Sequence, residues 1–197
     1  MSARLKPAIC LMLGWGALLW ALEGLDFVSG NALDAFGIQP RDPAELVDVV
    51  PAAFLHFGFD HLAANTVPLL VLGFVAALRA GIRRFLAVVA LIVVTSGLGV
   101  WLTAAPGSNT AGASGVVFGL FGYLLVRGFI ERKLVDVGIG VLVGAVYGSI
   151  VWGALPTDSQ ISWQGHLFGL AGGVAAAFVL RRRTRSVTAG PAVRAVP

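Results

Sequence analysis

Ser114 and the three histidines are the residues of this sequence whose types and spacing together could carry out nucleophilic chemistry. Ser114 lies in the short segment Gly112-Ala113-Ser114-Gly115, and His166 follows later in the chain. Serine is a weak nucleophile until an adjacent base takes its proton, and histidine is the most common base. The pair would permit acyl transfer, in which the serine attacks a carbonyl carbon. The sequence therefore predicts Ser114 as nucleophile and His166 as general base.

Acyl transfer also needs hydrogen-bond donors for the oxyanion that forms in the transition state. His61 and Asn65 are spaced i, i+4, which places both side chains on one face of a helix. Ser114 begins a predicted helix, where the first backbone N–H groups have no partner within the helix. We expect His61, Asn65 and the Ser114 amide to supply the donors. His56 lies too far from His61 to share that helix face, so we expect it to point elsewhere and to have a structural role.

A third catalytic group, an acid that orients the histidine, is not evident. Asp60 is next to His61 and so belongs to the wrong helix, and Asp158 falls in a loop. The pattern favours a Ser-His dyad. The only cysteine is Cys10, and no cysteines and histidines cluster with zinc-ligand spacing. Neither a metal nor another cofactor is therefore expected.

The elements that position these residues must lie in lipid. Hydrophobic residues make up 57% of the chain and charged residues 12%, with a mean hydropathy of +0.87. Soluble domains average about 45–50% apolar and about 25% charged residues. A membrane-spanning helix needs roughly 20 mostly apolar residues. Six segments qualify and predict an all-α, polytopic bundle of six transmembrane helices: about Pro7–Leu25, Phe54–Leu78, Phe85–Ala105, Ala113–Ile130, Leu134–Leu155 and Ile161–Leu180.

The basic residues predict the orientation of this bundle. They occur in short clusters between the apolar segments, which is a topology signal and does not indicate nucleic-acid binding. Thirteen of the fourteen Lys and Arg residues fall on one side, and only Arg41 falls on the other. The sequence thus predicts a multi-pass protein of the cell membrane with both termini cytoplasmic. It divides into a short N-terminus (1–6), a membrane domain (7–180) and a basic tail (181–197) that we expect to be disordered and to meet anionic lipid headgroups.

The candidate residues share one layer of this bundle. The second, fourth and sixth spans all begin on the external side, and their first turns carry the histidines and Ser114. Polar side chains in lipid are costly and usually mark function. Glycines at four-residue spacing further predict that the fourth and sixth spans pack at near-backbone distance. These are Gly115 and Gly119 on the fourth span and Gly165, Gly169 and Gly173 on the sixth.

With these motifs the chain resembles the rhomboid intramembrane serine proteases. The matching residues are His56, His61 and Asn65 on the second span, Gly112, Ser114 and Gly115 on the fourth, and His166, Gly169 and Gly173 on the sixth. The resemblance implies a compact six-helix bundle whose site opens to a water-filled cavity on the external face. It also implies that Ser114 and His166 are catalytic, that His61, Asn65 and the Ser114 amide bind the oxyanion, and that His56 supports them. Transmembrane proteins would be the substrates.

Two positions depart from the family pattern. A Trp-Arg pair is frequent in the first external loop, where this chain has Val47-Asp48. Many members also have a tyrosine four residues after the nucleophile, whose ring packs under the base; here it is Phe118, which can still stack. The segment Pro156–Gln160, with Trp152, is expected to gate entry to the site.

Three other classes of protein share some of these features. A proteolytically inactive relative that binds client transmembrane helices would be expected to lack the dyad, which this chain retains. A haem or metal protein using the three histidines would leave Ser114 and its glycines without a role. A small transporter would place its polar site near the midplane of an inverted repeat, and no such repeat is evident.

Overall fold

The structure is a computed structural model that describes residues 2–156 and 161–181. Throughout these residues the regular elements are helices. They confirm the expected all-α fold. The six α-helices are α1 (Ser2–Val28), α2 (Phe59–Ala80), α3 (Ile82–Thr103), α4 (Ser114–Glu131), α5 (Leu134–Tyr147) and α6 (Trp163–Val179). Three short 3₁₀ helices connect α1 to α2, at Ala32–Phe36, Pro43–Val49 and Pro51–Phe54, and a fourth, Gly148–Ala154, continues α5.

Five helical segments of the described chain are long and apolar enough to cross a membrane. They are α1 to α4 and α5 together with its 3₁₀ continuation to Ala154. The sixth helix, α6, is shorter at 17 residues and packs mainly against α3 and α4. The architecture is a helical membrane bundle, as the sequence predicts.

The helix boundaries differ most from the prediction at the starts of α1 and α2 and at the end of α5. The first span is predicted to begin at Pro7, but α1 begins at Ser2. The sequence predicts that the second span begins near Phe54, but α2 begins at Phe59. The preceding residues instead form a 3₁₀ helix, and Gly58 has a φ of 98°, which a regular helix cannot contain. In α5, the α-helix ends at Tyr147 and the remaining turns tighten into the 3₁₀ helix Gly148–Ala154.

The central helix of the bundle is α4. Of its most apolar stretch, 67% is buried inside the protein, against 17% for the corresponding stretch of α5 and its 3₁₀ continuation. It meets α6 at backbone distance, because a Cβ added to Gly173 would lie 1.7 Å from the Gly119 carbonyl oxygen. One added to Gly169 would lie 2.2 Å from the Gly115 carbonyl oxygen. This confirms the close packing predicted from the glycine spacing.

A buried cluster of ion pairs links α2, α3, α4 and α5 at the end of the bundle where α2 and α4 end and α3 and α5 begin. Arg79 on α2 binds Asp136 on α5 at 2.6 Å. Arg84 on α3 and Arg127 on α4 both bind Glu131, the latter at 3.4 Å. Charges in a membrane bundle are tolerated when they pair in this way. The cluster fixes the basic ends of four helices and leaves the opposite ends to form the candidate site.

The long loop between α1 and α2 is anchored to the end of α3 and the residues after it. Ile38 and Thr110 pair through their backbones, with Ile38 N–H donating to the Thr110 carbonyl at 2.8 Å. Arg41 Nη1 donates to the Ala104 carbonyl at 3.0 Å, and Trp101 Nε1 donates to the Asp42 carbonyl at 2.8 Å. These contacts anchor the loop. It is the loop in which this chain has Val47-Asp48 where many family members have Trp-Arg.

Candidate active site

Ser114 and His166 meet where the first turns of α4 and α6 converge. Ser114 is the first residue of α4, and His166 lies in the first turn of α6. The Nε2 atom of His166 is 2.8 Å from the Oγ atom of Ser114. This is within the distance that proton transfer between a nucleophile and its base requires. His166 is buried, with 8% of its surface exposed.

Two further contacts hold the His166 ring. Its Nδ1 lies 2.8 Å from the main-chain carbonyl oxygen of Gly153. Its face stacks on the ring of Phe118, with centroids 4.0 Å apart and an interplanar angle of 10°. Phe118 is one turn after Ser114 on α4, so the stack that the sequence suggested forms without a tyrosine hydroxyl.

His61 and Asn65 lie on the first turns of α2, beside the same site. A Cβ added to Gly112 would be 2.8 Å from His61 Cε1, so the imidazole lies against the backbone that precedes Ser114. Asn65 is buried, and its Nδ2 donates to the His61 carbonyl at 3.1 Å. Both side chains line the same cavity as Ser114 and His166, with the Asn65 amide hydrogen-bonded within its own helix.

His56 lies in the segment before α2, and one part of its prediction is wrong. The sequence predicts that His56 points away from His61, but the centroids of the two rings are 5.1 Å apart in an edge-on arrangement. The reason is the break at Gly58, which takes His56 out of the helix. Burial, with a smaller contribution from the nearby His61, lowers the pKa of His56 to about 4, so its ring is neutral at pH 7. The Ala113 N–H donates to His56 Nε2 at 3.3 Å, so His56 contacts the backbone of the residue that precedes the candidate nucleophile.

The glycines beside Ser114 allow this close approach. Gly112 has a φ of 140°, which only glycine adopts readily, and its N–H donates to the Ala52 carbonyl at 2.8 Å. A Cβ on Gly115 would lie 2.2 Å from Ser96 Oγ. Ser96 also donates to the Gly165 carbonyl at 2.8 Å and so links α3 to the start of α6. Sequence reasoning missed Ser96, although a polar residue in an apolar span is a signal that could have found it.

Ser114 and His166 line a cavity of about 900 Å³ between the helices. Its walls come from α2, α3, α4, α6 and the loops above them, and they include His61, Asn65, Ser96, Ser114, Phe118 and His166. Pro156 and Ile161 also line it. The expected gate at Pro156–Gln160 lies largely outside the described residues, as does Asp158, while Trp152 is 71% exposed. Within the described chain, no group of three or more His, Cys, Asp or Glu residues is placed to hold a metal ion.

Comparison with known families agrees with this geometry. The family model of the Rhomboid domain matches residues 43–183, which contain α2 to α6 and every candidate site residue. The chain belongs to the rhomboid family.

Similar proteins come from several bacteria. An uncharacterized protein of Mycobacterium tuberculosis (strain ATCC 25618 / H37Rv) is 45% identical over 181 residues, covering 88% of this chain and 75% of that protein. The Bacillus subtilis (strain 168) protein named "Putative rhomboid protease YdcA" is 29% identical and covers 89% of each chain. Rhomboid protease GluP of the same organism is 33% identical over 132 residues, which are 64% of this chain and 24% of GluP.

Proposed function

We propose that this chain is an intramembrane serine endopeptidase that cleaves transmembrane segments of other membrane proteins through a Ser114–His166 dyad. The observation that carries the proposal is the 2.8 Å separation of Ser114 Oγ and His166 Nε2 inside a membrane bundle. The cavity beside them is large enough to admit an unwound stretch of peptide and the water that hydrolysis consumes. Membership of the rhomboid family, and relatives named as rhomboid proteases, support the same activity.

In the proposed mechanism a substrate helix enters from the lipid and unwinds at the cavity. Ser114 Oγ attacks the peptide carbonyl carbon while His166 Nε2 takes the hydroxyl proton. His166 then gives this proton to the leaving amine, so the C–N bond breaks and an acyl-enzyme remains. Water, activated by His166, hydrolyses the ester and restores Ser114. Because the site is buried, the charges that develop must be stabilised by fixed hydrogen-bond donors.

The proposed oxyanion donors are His61, Asn65 and the Ser114 amide. We expect His61→Ala and Asn65→Ala each to lower kcat by about 10–10³-fold with little change in KM, since a lost donor acts mainly on the transition state. The Asn65 amide must turn from the His61 carbonyl toward the substrate. We therefore expect the fall in kcat for Asn65→Ala to be at the lower end of this range. Cleavage rates in proteoliposomes measure both.

The control for these variants is Thr66→Val on the same turn of α2. Its hydroxyl donates to the Leu62 carbonyl, accepts a hydrogen bond from Trp20 Nε1 and is not part of the proposed site. If His61→Ala and Asn65→Ala both cleave as fast as Thr66→Val, these side chains do not bind the oxyanion.

We also propose that both termini lie in the cytoplasm of a cell-membrane protein, with the site toward the external face. The support is the asymmetry of Lys and Arg, which follows the positive-inside rule. In this organisation residues 7–180 form the membrane domain. Residues 181–197 form a basic tail, of which all but Arg181 lie outside the described residues.

The decisive experiment compares wild type with Ser114→Ala in proteoliposomes that contain a transmembrane substrate. We expect wild type to cut the substrate and to react covalently with a fluorophosphonate probe, and Ser114→Ala to do neither. Ser29→Ala, an exposed serine at the end of α1, is the matched control and should behave as wild type. Equal cleavage by Ser114→Ala would overturn the proposal. Wild type that binds transmembrane helices but neither cleaves nor labels would be an inactive, client-binding relative.

A further inference from the structure

The proposed dyad has no acid among the described residues, yet the base is held by a hydrogen bond at its second nitrogen. We propose that the main-chain carbonyl of Gly153 is the positioning group for His166, in the place that an aspartate occupies in a Ser-His-Asp triad. This inference rests on the proposed function and names the group that orients its base. The observation is the 2.8 Å separation between His166 Nδ1 and the Gly153 oxygen.

The contact determines which nitrogen carries the proton. A carbonyl oxygen can only accept a hydrogen bond, so in the neutral ring Nδ1 must be the donor. The lone pair is then on Nε2, and the Ser114 hydroxyl donates to it across 2.8 Å. This is the tautomer that a general base needs. With the proton on Nε2 instead, His166 could not accept the serine proton, and in a Ser-His-Asp triad the wrong tautomer costs about 10⁴ in kcat.

The position of Gly153 in the fold explains why its carbonyl is free. It lies in the last turn of the 3₁₀ helix Gly148–Ala154. The final carbonyls of a helix have no partner within that helix, and they carry its partial negative charge. His166 supplies the missing donor. A carbonyl also orients the ring without placing a carboxylate in the membrane, where an ionised group is costly.

A side chain at this position would crowd the two stacked rings. A Cβ on Gly153 would lie 3.2 Å from His166 Nδ1 and 3.1 Å from Phe118 Cζ. Both distances are shorter than ordinary contacts, and both atoms belong to the stacked pair of rings. A side chain here would therefore press on the imidazole from the side of its hydrogen bond. At Gly148, on the same 3₁₀ helix, an added Cβ would meet nothing within 4 Å.

The first test reads the tautomer directly. Protein labelled with ¹⁵N-histidine is reconstituted in bicelles, and the ring nitrogens are observed by NMR at neutral pH. The His166 signals are assigned by their absence in His166→Asn. We expect neutral His166 to carry its proton on Nδ1. A predominant Nε2–H form would overturn the inference. The measurement does not depend on turnover, so it stands apart from a failure of the protease proposal, in which wild type would neither cleave nor label.

The second test compares Gly153→Ala with Gly148→Ala. We expect Gly153→Ala to lower kcat by about ten- to a hundredfold with KM unchanged, because small displacements of a catalytic group have effects of this size. We also expect part of its His166 signal to move to the Nε2–H form. Gly148→Ala should match wild type in kcat and in tautomer. If the two variants behave alike, the Gly153 carbonyl does not position the base. If Gly153→Ala does not fold, the wild-type tautomer decides.

Discussion

Replacing His166 with asparagine is expected to lower the cleavage rate by about 10⁴–10⁶-fold, the range seen when a serine hydrolase loses its base. Asparagine keeps a polar group in the buried position but cannot take a proton from Ser114. Among the described residues, the ring nitrogen at 2.8 Å is the base in contact with Ser114 Oγ. Single-turnover cleavage of a transmembrane substrate in proteoliposomes measures the loss, and the rate of fluorophosphonate labelling should fall with it.

Two comparisons make this result specific. Leu167→Ala alters the neighbouring, 40% exposed position of α6 and should leave cleavage near the wild-type rate. The double variant Ser114→Ala with His166→Asn should be no slower than Ser114→Ala alone, since residues that act as one unit are not additive. Labelling of His166→Asn at the wild-type rate would mean that another group activates Ser114.

The second large effect is expected at the contact between α4 and α6. Gly173→Ala places a Cβ 1.7 Å from the Gly119 carbonyl oxygen, which is backbone and cannot turn aside. The helices must separate, at a cost of about 1–3 kcal/mol for overpacking. Ser114 and His166 are on these two helices, so their hydrogen bond should lengthen. We expect the thermal unfolding midpoint in detergent micelles to fall and cleavage to drop by about a hundredfold.

Gly138→Ala is the matched control for this prediction. Gly138 is also helical, in α5, and a Cβ there meets nothing within 4 Å. Both variants gain the same helix propensity, about 1 kcal/mol in favour of alanine. The difference between them therefore reports the contact alone. If Gly173→Ala is as stable and active as Gly138→Ala, the glycine contact does not set the separation of the dyad.

Much of the fold could be predicted because lipid imposes simple rules. Long apolar segments indicated the spans, and the starts of the second, fourth and sixth placed Ser114 and the histidines in one layer. The errors near the candidate site lie where local geometry departs from a regular helix. The positive φ of Gly58 makes α2 begin at Phe59, so the helix does not include His56, and the end of α5 tightens into a 3₁₀ helix. Hydropathy does not distinguish these conformations, because each residue stays equally apolar in either.

By itself, the sequence determined the class of fold, the helices that carry the candidate residues and the glycine faces on which they pack. These follow from composition and period, which depend on each residue's own chemistry. Only the tertiary structure decided that Ser114 and His166 lie 2.8 Å apart, that the Ala113 amide bonds to His56, and that a carbonyl at Gly153 faces the base. Such contacts depend on how helices rotate and slide against one another. A main-chain oxygen is present at every residue, so no residue type marks the one that His166 meets.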